Sequence, residues 1–231
     1  MLTTILNTTL QSLSLFKTGK LWVYVIPTTS VVFFFYIASG GFDSLNETSA
    51  LSDESWWDWI VNHLFYSWDW LMEGLMYFTL FALMSPLYGI VSSVVFTKIT
   101  GVKSHFSARR FAYDVFRMIV LFIIFELLRA LVVLPLTLIF WSEESLFTQA
   151  LFFIIQAAFV GLAFIDYSLE IDEISIGDSI EFFFKNLIYC IFLGTVFQFI
   201  LLLSYPGLII APIFTAVLAT VLYLNIKKNK A

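Results

Sequence analysis

Charged side chains are scarce in this chain: Asp, Glu, Lys and Arg make up 13% of its 231 residues, against about 25% in an ordinary soluble domain. So little charge cannot cover a folded chain of this size in water, which excludes a soluble globular class. Cysteine is nearly absent. Cys190 stands alone, so no disulfide forms within the chain, and its apolar neighbours make it a small apolar residue. Basic residues are few, 12 against 17 acidic ones for a net charge of −5, and no stretch reaches the basic density that nucleic acid requires. His-Glu-x-x-His and Gly-x-Ser-x-Gly are missing, and His63 and His105 lie far apart with no metal-ligand spacing. Neither an enzyme nor a metal or other cofactor is expected. Residues 1–16 hold no basic residue and interleave Thr, Asn, Gln and Ser with their apolar positions, so no cleavable signal peptide is expected.

What the chain has instead is apolar surface. Of its residues 60% are hydrophobic, with 27 Phe among them. A bilayer core demands stretches of about 20 apolar residues. The pattern predicts an all-α integral membrane protein, one domain over 1–231, built as a polytopic bundle of about six apolar helices. Residues 1–16 come first, as an amphipathic interfacial helix. Ile5, Leu6, Leu10, Leu13 and Phe16 recur at helical spacing, so it lies on the membrane or against the bundle. An apolar segment runs from Leu21 to Ala38, and a second from about Leu71 to Phe96, kinked at Pro86. Between them, residues 40–55 form an acidic loop. Five of the seven Trp fall in residues 56–70, the density of an interfacial belt rather than of a ligand cage.

The stretch Ser107–Pro135 organises the rest. It begins as a basic helix capped by Ser104 or Ser107 and turns apolar with no Gly or Pro break. Arg109, Arg110 and Arg117 mark a membrane surface, and Arg110, Asp114 and Arg117 share one helix face, solvated or bound to head groups, with a phosphate or sulfate site as the alternative. Deeper in, Glu126 and Arg129 stand three residues apart and form an intramembrane ion pair, since either alone near the bilayer centre costs roughly 2.5–3.5 kcal/mol. Residues 146–165 make a further apolar helix. Residues 166–181 read as a polar surface segment, with a helix starting at Asp178 or Ser179. The stretches 183–203 and 208–225 then form an antiparallel hairpin across Ser204-Tyr205-Pro206-Gly207.

Charge by side fixes an expected orientation. With both ends cytoplasmic, every Lys and Arg but Arg129 falls on the inner side, the basic segment 98–117 included. The outer segments carry Asp43, Glu47, Asp53, Glu54, Asp58, Asp69, Glu73, Glu143 and Glu144 with no basic residue. The expected topology is N-in, C-in. Crossing and re-entrant helix pairs return to the same side alike, so residues 118–165 and 183–225 fit either.

The C-terminal third carries Ile165-Asp166-Tyr167-Ser-Leu-Glu170, Phe182-Phe-Phe-Lys185-Asn186, Gly194, Tyr205-Pro206-Gly207-Leu-Ile-Ile-Ala211-Pro212 and Ala219-Thr220. With Gly19-Lys-Leu-Trp-Val-Tyr-Val-Ile-Pro27 near the start, this order and spacing resemble the CysZ sulfate-permease and etoposide-induced membrane-protein family over most of the chain. The resemblance implies a multi-pass protein of the bacterial inner membrane, oligomeric, with some helix pairs that only partly penetrate the bilayer. It also implies sulfate uptake. The family's arginine pair before the first membrane helix falls here on Leu21 and Trp22, with Lys17 and Lys20 close by.

Two functions follow. A transporter or channel for a small anion needs convergent donors. Lys17, Gly19 and Lys20 before Leu21 supply them, as do Arg109 and Arg110, while lipid phosphates compete for the same charges. The alternative is a non-transporting subunit or scaffold of a membrane complex. Partners are then the bilayer and either an anion or further copies or subunits, with no nucleic acid. Orientation is directly testable. Ser44→Cys should react with an impermeant maleimide in intact cells, and Ser104→Cys should not, each in a Cys190→Ser background. Labelling of Ser104→Cys from outside would reverse the topology.

Overall fold

In a computed structural model of the chain, the described residues are 2–18, 21–30, 87–102, 113, 115–121, 123–125, 127–128, 131–132, 146–203 and 205–230. Every regular element among them is helical. Helix α1 is Leu2–Thr18, and a 3₁₀ turn, Leu21–Tyr24, runs on into helix at 25–30. Helices α2 and α3 are Leu87–Thr100 and Val115–Phe125. Then come α4 (Leu146–Ile171), α5 (Ile176–Lys185), α6 (Leu187–Leu201) and α7 (Tyr205–Lys230). Two helices are long and apolar enough to cross a membrane, Gln149–Ile171 of α4 and Ile209–Asn229 of α7, or three spans if the bent pair α5–α6 counts as one.

Helix α7 is the axis of the bundle, with 78% of its span buried against 44% for α4. Helices α4 and α6 cross it as a tightly packed antiparallel pair. Their contact is made of small residues four apart: Ala157 and Gly161 on α4, Cys190 and Gly194 on α6. A Cβ at Gly161 would stand 1.9 Å from the Cys190 carbonyl oxygen, and one at Gly194 would stand 1.8 Å from that of Ala157. The two backbones therefore touch at both ends of the contact. Apolar side chains gain nothing from leaving lipid, so close backbone approach is how membrane helices gain contact.

The start of α6 is set by Asn186. Its backbone N–H donates to the carbonyls of Phe182 and Phe183, its side-chain amide donates to Phe182, and its own carbonyl accepts from Tyr189. One residue thus caps α5 and starts α6, and the two helices meet at 89°. With 15 residues, α6 is about 22 Å long at 1.5 Å per residue. That is short of the ~30 Å hydrocarbon core.

Helix α1 packs on α7 with its polar side inward. Thr8 and Ser12 are completely buried, and Asn225 donates to the Thr8 hydroxyl (3.0 Å), whereas Leu6, Leu10 and Leu13 are more than half exposed. Of the expected apolar stripe, only Phe16 is buried, edge-on to Phe214. The contacts Thr8–Asn225 and Phe16–Phe214 make α1 antiparallel to α7, so both termini lie at one end of α7. They also place Lys17 roughly 20 Å along α7 from Lys227. Lys17, which charge alone groups with the C-terminal lysines, is thus well separated from them along α7.

Several boundaries differ from expectation. Helix α4 continues through the polar run 166–171, where Asp166, Ser168 and Glu170 are buried rather than at the surface. Helix α5 starts at Ile176, capped by the Ser175 hydroxyl, which accepts from the Asp178 N–H, instead of starting at Asp178 or Ser179. Pro206 and Gly207 lie in the first turn of α7, where proline is tolerated, and the reversal falls at Leu202–Leu203. Lys98 belongs to α2, which ends at Gly101 with φ +73°, a left-handed cap. Residues 31–86 and 103–112 lie outside the described residues, and with them the acidic loop, the Trp belt and much of the basic segment.

The α4–α6 contact predicts a sharp contrast between glycines. Gly194→Ala should lower stability by about 1–3 kcal/mol, because backbone must move to admit the methyl. Gly177→Ala, whose Cβ would meet nothing nearer than the Ser175 hydroxyl at 3.9 Å, should be neutral or stabilising by up to about 1 kcal/mol. Thermal unfolding in detergent measures both.

Candidate functional site

The ionisable groups of the described chain gather where α3, the end of α4, α5 and the end of α7 meet. Helix α4 ends in a left-handed turn. Glu173 has φ 59°, and the N–H groups of Glu173 and Ile174 donate back to the carbonyls of Glu170 and Leu169. That turn swings Ile174 and Ser175 round so that α5 begins across the end of the bundle. Glu173 holds this conformation without being glycine, at a cost on the order of 1–2 kcal/mol.

Arg117 of α3 lies inside the corner so formed, 1% exposed. Its Nε donates to Asp166 Oδ2 (2.9 Å) and its Nη2 to Asp166 Oδ1 (2.7 Å), a two-pronged fit of guanidinium to carboxylate. Nη2 also donates to the Ser179 hydroxyl (2.6 Å), and Nη1 donates to the Ile174 carbonyl. One side chain therefore ties α3 to α4, to the turn and to α5. The sequence places Arg117 at a membrane surface and Asp166 in a polar surface segment; the structure buries both against each other. In the sequence each stands between apolar or aromatic neighbours, Arg117 between Phe116 and Met118 and Asp166 between Ile165 and Tyr167. Nothing in linear order says that two such groups 49 residues apart meet.

Further along, Ser168 donates to Thr220 (3.1 Å), which donates to the Ala216 carbonyl (2.8 Å). Asp172 Oδ2 accepts from both the Tyr223 hydroxyl and Lys227 Nζ, the latter at 2.6 Å. Lys185 pairs with Glu181 one turn back on α5. Between α5 and α7 these groups frame a cavity of about 390 Å³. Its walls include Asp172, Asp178, Glu181, Lys185, Asn186, Tyr223 and Lys227 over an apolar floor of Leu169, Ile174, Phe182 and Ile226. Three carboxylates against two ammonium groups leave it weakly negative, a poor reception for a dianion. Among the described residues no group of three or more His, Cys, Asp or Glu is placed to hold a metal.

Of the site residues expected from sequence, Lys17 alone is among the described residues. Lys17 is exposed in the last turn of α1, remote from Lys227. Gly19, Lys20, Arg109, Arg110 and the Glu126–Arg129 pair lie outside the described residues. Cys190 is buried and free, as a small apolar residue would be. Comparison of the chain with protein-family models gives no match, and comparison with curated proteins gives none either.

Breaking the Arg117–Asp166 pair should be far worse than replacing it. Arg117→Met or Asp166→Leu should each cost about 3–5 kcal/mol by stranding a buried partner, and the two together should cost less than the two singles summed. A double-mutant cycle by thermal unfolding in detergent checks this. Strict additivity would show that packing rather than pairing holds the corner.

Proposed function

We propose that this chain is a multi-pass membrane permease for a small anion, sulfate first among the candidates, in the bacterial inner membrane that its family resemblance implies. One observation carries the reading. Lys17 is exposed and has no ion-pair partner among the described residues, and a new helical turn begins four residues later at Leu21. The first N–H groups of a helix have no partner within it, so an anion beside Lys17 would meet charge and amide donors together. At the far end of α7, by contrast, each of three cations has a carboxylate beside it: buried Arg117 has Asp166, and the exposed Lys227 and Lys185 have Asp172 and Glu181. The short α6, set at 89° to α5, suits a partly penetrating pair, an arrangement that transporters use where backbone must face a passage.

The second reading, a non-transporting subunit or scaffold of a membrane complex, draws on the same pairing: a corner whose charges neutralise one another serves to hold helices in place. Flux separates the two. Purified protein alone in liposomes should admit radiolabelled sulfate, and Lys17→Gln with Lys20→Gln should slow entry by about tenfold, roughly one charge-assisted contact. Absence of sulfate entry above protein-free liposomes would leave the subunit reading.

A further inference from the structure

The cavity between α5 and α7 is lined by three carboxylates and two ammonium groups, and its chemistry suits a ligand other than a dianion. It carries both signs of charge on one rim and apolar walls beneath. Its volume of about 390 Å³ falls within the ~300–1,000 Å³ of small-molecule sites. The rim charges are open to solvent: the Lys185, Glu181 and Lys227 side chains are 64%, 59% and 57% exposed. Their mutual pairing does not exhaust them. An ammonium group has three donors and a carboxylate two oxygens. Lys185 gives one contact to Glu181 and Lys227 one to Asp172, while both donors to Asp172 meet the same oxygen, Oδ2. Each side of the opening thus carries a donor for a phosphate beside an acceptor for an ammonium: Lys185 next to Glu181 on α5, and Lys227 of α7 next to Asp172.

The position of the cavity says which zwitterion. Asp172 directly follows the end of one candidate span at Ile171, and Lys227 lies within the last turn of the other, which ends at Asn229. In a membrane crossed by these two helices, both residues would stand where hydrocarbon gives way to head groups. Exposed Phe184, Leu187 and Ile188 flank Lys185 and Asn186 in sequence and supply apolar surface for acyl chains. The geometry points to this cavity as a head-group site for phosphatidylethanolamine. Its phosphate meets Lys185 and Lys227, and its primary ammonium meets Asp178, Glu181 and the free oxygen of Asp172. Phosphatidylcholine has the same charges but no N–H to donate, and phosphatidylglycerol has no cation, so each satisfies only half of the rim.

The test uses the full chain purified in detergent, incubated with phosphorus-labelled phosphatidylethanolamine, phosphatidylcholine or phosphatidylglycerol, then captured and washed. Phosphatidylethanolamine should be retained about tenfold over either other lipid, as expected when one set of charged contacts is lost. Lys185→Gln with Lys227→Gln should reduce its retention to the phosphatidylcholine level. Asp178→Asn with Glu181→Gln should abolish the preference between those two lipids. Lys228→Gln, exposed and off the cavity wall, should change nothing. Because Lys185 is a surface residue with a partner on its own helix, Lys185→Gln alone keeps the fold and should still weaken retention. Equal retention of all three lipids overturns the proposal, as does wild-type retention by the Lys185→Gln and double-lysine variants. Displacement of the lipid by equimolar soluble phosphoethanolamine would assign the cavity to a water-soluble zwitterion and overturn it too.

Discussion

The bundle depends on one buried ion pair. Taking a guanidinium and a carboxylate out of water costs several kcal/mol per ion, and only near-complete satisfaction of both offsets that cost. Arg117 reaches it by donating to both oxygens of Asp166, to Ser179 and to the Ile174 carbonyl. Those partners come from three successive pieces of chain, so the demand for satisfaction is also a positioning device. The turn after α4 must bring Ile174 within reach, and α5 must begin early enough to present Ser179. The left-handed Glu173 and the Ser175 cap are the local features that meet these demands.

Away from that corner the chain is held by means that suit lipid better than water. The α4–α6 contact relies on backbone approach between small residues, since burying a larger side chain gains nothing over leaving it in hydrocarbon. Helix α1 turns Thr8 and Ser12 toward α7 and Leu6, Leu10 and Leu13 outward, the reverse of a helix on a soluble core. In lipid the polar groups are the ones that must find partners, and Thr8 finds Asn225 while Ser12 donates to the Thr8 carbonyl. The same reversal explains why a stripe of Leu was a sound sign of amphipathicity in α1 and a misleading sign of the face it buries.

Interior polarity is correspondingly neutral or paired. Ser168 and Thr220 bond each other across α4 and α7, and Asp172 gathers Tyr223 and Lys227 from the neighbouring helix. These contacts lie at positions 168 and 172, and with Asp166 they follow the end of α4 into the turn beyond it, the run that sequence pattern assigns to the surface. A polar run after an apolar helix is ambiguous by itself. It lies outside when nothing faces it, and it becomes a buried seam when a second helix brings complementary groups to the same depth.

Composition, apolar run length and the scarcity of charge pointed on their own to a helical chain with segments long and apolar enough to cross a membrane, because these properties follow from what backbone and side chains require of hydrocarbon. They also located the apolar runs of α4, α6 and α7, since an apolar run is read locally, but not the extension of α4 to Ile171, the bend at Asn186 inside 183–203 or the placing of Pro206 and Gly207 within α7. Only the tertiary structure decided that Arg117 meets Asp166, that α1 faces inward with its hydroxyls, and that Lys17 and Lys227 stand far apart along α7. Each of those depends on which helices are adjacent and in what register, and a one-dimensional pattern of polarity is the same for every such arrangement.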